Sequence, residues 1–219
     1  MTLVVAVILG ALTLGAAQVS YSSDAGPLDD ASLTFLGVRV GGSNTLSEVA
    51  ARMGATVVWG TGDAATSESQ ICYRVPTTGR RVIIVFASNN EMSQPKGQVN
   101  HIVVYGDPRA FPDRERCAML NRPPGALSTL NGLRLGLSPS EARRILGPRQ
   151  LRKDQSLLYE ASQRRYLEPT DSRYSRWAVQ KQCFDDPSRP YFDDFASITI
   201  KFRAGAAILL GLSSNQSWC

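Results

Sequence analysis

Apolar and polar positions recur in the same order at two places in the chain. Residues 36–54 read LGVRVGGSNTLSEVAARMG and residues 130–147 read LNGLRLGLSPSEARRILG. Each begins with an alternation closed by glycines, Gly37-Val38-Arg39-Val40-Gly41 and Gly132-Leu133-Arg134-Leu135-Gly136, which predicts a short extended connector. A helix start follows. Ser138, Pro139 and Glu141 stand at cap, first and third positions, so hydroxyl and carboxylate satisfy amides reciprocally, and Thr45 with Glu48 repeats the box. Leu46, Val49 and Met53 form one apolar stripe, and Pro139, Ala142 and Leu146 form its counterpart. Gly54 and Gly147 are expected to stop the helices in a left-handed conformation. Helices of about two turns do not hold alone in water, so each must lie on a larger support.

That support is predicted in the strands that follow. In the first half, residues 56–59, 71–75, 81–86 and 99–105 are rich in branched and aromatic side chains and are separated by turn residues. In the second, residues 157–159, 176–184, 198–203 and 207–212 give the same succession. Ile198, Ile200 and Phe202 share one face of their strand and Thr199, Lys201 and Arg203 the other, the mark of a sheet with one packed and one wet face. The expected fold class is α+β: two tandem helix-plus-antiparallel-sheet repeats, residues 31–120 and 126–219, joined by the proline-rich linker 121–125.

Residues 3–14 are almost wholly apolar, and Gly15-Ala16-Ala17 follows with the small side chains a signal peptidase reads. A signal peptide over 1–17 and a flexible leader over 18–30 are therefore expected. They imply an exported protein, periplasmic or extracellular, without a transmembrane segment once cleaved. Four cysteines, Cys72, Cys117, Cys183 and Cys219, then favour disulfides over free thiols. Three pairings exist in principle, and the repeat favours the symmetric one, Cys72 with Cys117 and Cys183 with Cys219. No metal site is expected, because the cysteines are widely spaced and His101 is the single histidine. No cofactor motif appears either. Residues 18–120 carry 9 basic and 10 acidic side chains, and residues 121–219 carry 15 and 9, so the net charge of +5 resides in the second half. In an exported chain such a face suits an acidic protein or an envelope surface better than nucleic acid.

The repeated Gly-apolar-x-apolar-Gly element followed by a capped helix carrying S-E-[A/V] and ending in Gly, given twice behind a signal peptide, resembles the beta-lactamase inhibitory protein family. More distantly it is similar to the SmpA/OmlA outer-membrane assembly lipoproteins. The likeness spans about 20 residues per repeat and consists of caps, turns and core positions. It implies an antiparallel sheet with helices on one face in each half, and two sheets side by side forming a concave surface that grips a partner protein.

The two halves differ most between stop glycine and first cysteine, Gly54 to Cys72 against Gly147 to Cys183. The longer interval holds Arg164, Arg165, Tyr166, Arg173, Tyr174, Arg176 and Trp177, a mixture enriched where proteins bind each other, and these are the candidate partner-binding residues. An extra hairpin with solvated arginines is the plainer reading. Four carboxylates, Asp185, Asp186, Asp193 and Asp194, flank a proline-bearing loop. Paired carboxylates can serve as acid and base, but neutralising neighbouring arginines accounts for them more simply. The functional expectation is an exported, non-enzymatic protein-binding module, in one form an inhibitor of a secreted or periplasmic enzyme. The alternatives are an envelope assembly or scaffolding protein, and a hydrolase using the 185–194 loop.

Overall fold

The computed structural model describes residues 28–54, 59–61, 68–77, 80–89, 97–121, 127–166, 170 and 191–218. The expected signal peptide, Cys183, Cys219, Asp185, Asp186, Arg173, Tyr174, Arg176, Trp177 and the predicted strand 176–184 lie outside them.

The described part opens with a small hairpin, β1 (Thr34–Phe35) and β2 (Val38–Arg39), and helix α1 (Leu46–Met53). Strands β3 (Trp59–Thr61), β4 (Glu68–Thr77), β5 (Arg80–Asn89) and β6 (His101–Tyr105) follow. Two 3-10 turns, Pro108–Ala110 and Arg114–Arg116, lead to β7 (Ala118–Met119). Helix α2 (Pro139–Leu146) then precedes three long strands, β8 (Ser156–Tyr166), β9 (Tyr191–Arg203) and β10 (Ala206–Trp218).

Both helices start as their sequences predict. Thr45 accepts from the Glu48 amide and Ser138 from the Glu141 amide, and each glutamate reaches back to the cap amide. Leu46 and Val49 are buried on α1, and Ala142 and Leu146 on α2. The stop glycines differ from expectation. Gly54 and Gly147 take φ of 108° and 94°, where glycine is favoured, but their ψ values of 154° and 170° are extended, so the chain leaves each helix straight instead of curling left-handed.

The principal sheet runs β3-β4-β5-β6-β10-β9-β8, with β7 added in parallel to the edge of β4. It contains two antiparallel meanders, β4-β5-β6 and β8-β9-β10, whose last strands pair from Leu209 with Tyr105 to Ser213 with His101. Two sheets side by side were expected; backbone pairing between β6 and β10 makes them one sheet instead. Side-chain alternation then gives that sheet two faces. Ile71, Tyr73, Ile84, Phe86, Ile102, Val104, Tyr159, Ile198, Ile200, Leu210 and Leu212 point to the helices and form one continuous core with them. Leu28 belongs to this core at 1% exposure, so the folded part includes the end of the expected leader.

Two buried tyrosines fasten the helices to the sheet. Tyr73 on β4 donates to the Gly54 carbonyl at 3.3 Å, and Tyr159 on β8 donates to the Gly147 carbonyl at 2.9 Å. Burial raises both phenols above their ordinary pKa, so each remains a donor through the neutral range. These tyrosines also identify the matching strands. Cys72 sits just before Tyr73, whereas the residue before Tyr159 is Leu158, so β8 carries no cysteine at the place that Cys72 takes on β4. The extra length of the second half falls between β8 and β9.

Replacing either tyrosine removes a buried hydrogen bond at constant shape. Tyr73→Phe and Tyr159→Phe are each expected to lower unfolding free energy by about 1 kcal/mol in urea titrations, with unchanged slope. A loss from one substitution and none from the other would show that the two helices are not held alike.

Candidate functional site

The face of the sheet away from the helices is covered unequally. Over the first meander lies the segment from Asp107 to Leu120. Gly106 lets it depart close to β10: its amide donates to the Ile208 carbonyl at 2.8 Å, and a Cβ there would stand 3.0 Å from that oxygen. Phe111 packs on Tyr105 with ring centroids 5.6 Å apart, and both join Trp59, Cys72, Ile83, Val85 and Cys117 in a second apolar cluster. The Cys72–Cys117 disulfide bonds this segment to β4, as the symmetric pairing predicts. Such a bond fits an oxidising compartment.

The second meander leaves more of this face open. Glu160, Ser162 and Phe195 are exposed, and Leu158, Thr199 and Leu209 are partly exposed. At its far end stand three of the seven sequence-predicted site residues, Arg164, Arg165 and Tyr166, all on β8. Arg164 grips Asp193 with two bonds of 2.9 and 3.0 Å, and its guanidinium lies 3.7 Å above the Tyr191 ring. Tyr166 meets Tyr191 edge-on at 6.0 Å. Arg165 points to the opposite face, where it bonds Asp194, a buried carboxylate that also accepts from Gln216 at 2.8 Å. The structure thus divides the predicted residues between two faces.

Asp193 and Asp194, counted in the 185–194 loop, belong to β9. Aspartates are poor strand formers alone, but each here has an arginine across the strand pair, and opposite charges support the pairing. Asp193 and Asp194 consequently face opposite ways and are each held by a guanidinium, an arrangement that does not bring them together as an acid and base pair. Among the described residues no group of three side chains can hold a metal ion, and no helix is long and apolar enough to cross a membrane.

At the other end of the helix-free face lies a cleft of about 680 Å³ that the sequence reading missed. Its lining includes Arg74, Arg81, Arg109, Arg114 and Arg203 against two acids, Asp107 and Glu115, over a floor of Ile83, Ala206 and Ile208. Asp107 binds Arg109 at 3.1 Å and lies 3.6 Å from Arg203, while Glu115 lies 3.7 Å from Arg74 and 3.5 Å from Arg114. Hydrogen bonds from Arg109, aided by the charge of Arg203, hold the Asp107 carboxyl below the usual carboxylate range. Arg74 also donates to the Cys117 carbonyl at 3.2 Å, tying the cleft to the disulfide. Four of the five arginines come from the half whose charges balance. Summing charge along the chain hid them. The useful signal was alternation, since Cys72 and Arg74 share one strand face and Arg81 and Ile83 share another, but only the pairing of Arg74 with Ile83 brings the two together.

Comparison with protein-family models, with curated proteins and with solved structures finds no match to this chain.

The disulfide closes a separation of 45 residues, and on the chain-entropy account its loss costs ~4 kcal/mol, less if the reduced chain retains structure. The Cys72→Ala, Cys117→Ala double variant is expected to unfold ~2–4 kcal/mol more easily in denaturant. Equal stability of variant and parent would mean that the segment from Asp107 to Leu120 is held without it.

Proposed function

We propose that the chain is an exported, non-enzymatic protein-binding module of two tandem halves, which grips its partner with the helix-free face of β8, β9 and β10. One observation carries the reading: Tyr166 and Phe195 are 42% and 44% exposed on the face where Arg164 is already fixed by Asp193 and Tyr191. Aromatic and arginine side chains dominate binding energy between proteins. An arginine ordered beforehand loses less freedom when a partner arrives. The matching capping boxes and the matching tyrosine bonds of α1 and α2 support descent from one repeated unit. The disulfide supports export. The resemblance to the beta-lactamase inhibitory protein family adds the expectation that the partner is a secreted or periplasmic enzyme, inhibited by occlusion.

The test uses the disulfide-bonded chain and its Tyr166→Ala, Phe195→Ala double variant as baits in the exported fraction of the native host, followed by titration of whatever the parent retains. The expected outcome is one retained protein forming a stoichiometric complex, with affinity weakened by about 2 kcal/mol, roughly 30-fold, in the variant. Retention of the same proteins by both baits contradicts the proposed face. Sedimentation of both with envelope material would put the scaffolding reading in its place.

A further inference from the structure

We propose that the arginine-lined cleft is a second recognition site, which binds an acidic peptide segment of a partner protein with carboxylates on its rim and an apolar side chain on its floor. For the source of the segment this rests on the protein-binding reading; the binding itself does not. Charge is the first argument. Among the described residues five guanidiniums face two carboxylates, and each carboxylate is shared by two arginines, so donors remain on all of them. Arg81 stands exposed at the rim and forms no ion pair among the described residues. A guanidinium matches a carboxylate as a fork, which suits it to such recognition.

Shape separates this ligand from other anions. A lone phosphate is far smaller than about 680 Å³ and has no use for the floor of Ile83, Ala206 and Ile208. Single-stranded nucleic acid would call for aromatic platforms, and no aromatic side chain lines the cleft among the described residues. A bilayer surface is met by protruding basic and apolar side chains, whereas these arginines surround a recess and Arg74 is only 29% exposed. An extended segment with carboxylates on either side of an apolar residue satisfies rim and floor together. The cleft and Asp193 stand at opposite ends of β9; from Asp193 to Arg203 the strand spans ~33 Å at ~3.3 Å per residue, within the reach of one protein partner.

The test measures binding of a fluorescent peptide, Glu-Glu-Leu-Glu-Glu between Gly-Ser flanks, to the full disulfide-bonded chain at low ionic strength. Control ligands are the same peptide with Gly for Leu, the same with Lys for each Glu, inorganic pyrophosphate, and phosphatidylglycerol vesicles. The acidic Leu peptide is expected to bind about tenfold tighter than the Lys peptide and about threefold tighter than the Gly peptide. Arg81→Glu should weaken it about tenfold, and Asp107→Asn, which frees two guanidiniums while keeping the turn's cap acceptor, should tighten it about threefold. Tyr166→Ala with Phe195→Ala should leave it unchanged, so loss of the partner at the other site and loss of the peptide here are read separately. Arg81 is exposed and forms no ion pair among the described residues, and the unfolding transition of its variant is to match the parent's before binding is compared. Equal affinity of parent, Arg81→Glu and Asp107→Asn overturns the proposal. So does equal binding of the Gly peptide or pyrophosphate, or Arg81-dependent binding of vesicles without binding of the peptide.

Discussion

The pairing of β6 with β10 is the interaction on which the remaining architecture depends. Each meander has only a two-turn helix and a connector to cover it, too little to bury a core of its own. Joined edge to edge, the meanders share Ile102, Val104, Leu210 and Leu212 in one continuous core. Without that pairing, both strands would present open edges, a liability for any chain. The pairing also fixes where chemistry can sit, because it aligns the turn after β9 with the end of β6 and so brings Arg203 to the arginines of the first half.

One sheet with both helices on the same side leaves its other side to be closed by something else. In the first half that is a segment with little regular structure, retained by the disulfide and by Phe111. A covering of this kind leaves a recess where it lifts from the sheet, and the arginine cleft is that recess. The second half shows ordered arginines and exposed aromatics instead. The one sheet thus carries two surfaces of different chemistry, one with exposed aromatics, one cationic and concave.

Features specified by neighbours in sequence were legible before the structure. The caps at Thr45 and Ser138 need only a residue three positions on, and the inward set Ile198, Ile200 and Phe202 needs only alternation. Features specified by neighbours in space were not. Asp193 and Asp194 read as part of a loop because the charges that neutralise them lie on another strand. Cysteine spacing follows loop length and does not mark which strands correspond, whereas Tyr73 and Tyr159 mark them through a bond to a distant glycine. Arg74, Arg81 and Arg203 could not be grouped without the strand register.

Hydrogen exchange of the intact, disulfide-bonded chain tests most directly that β6 and β10 unite the two meanders. Amides of β6, β10 and the central strands β5 and β9 should exchange with one common opening free energy, equal to that of global unfolding in denaturant. A lower opening free energy for β8-β9-β10 than for β4-β5-β6, or the reverse, would mean that the halves open independently and that the joint sheet is not what organises the molecule.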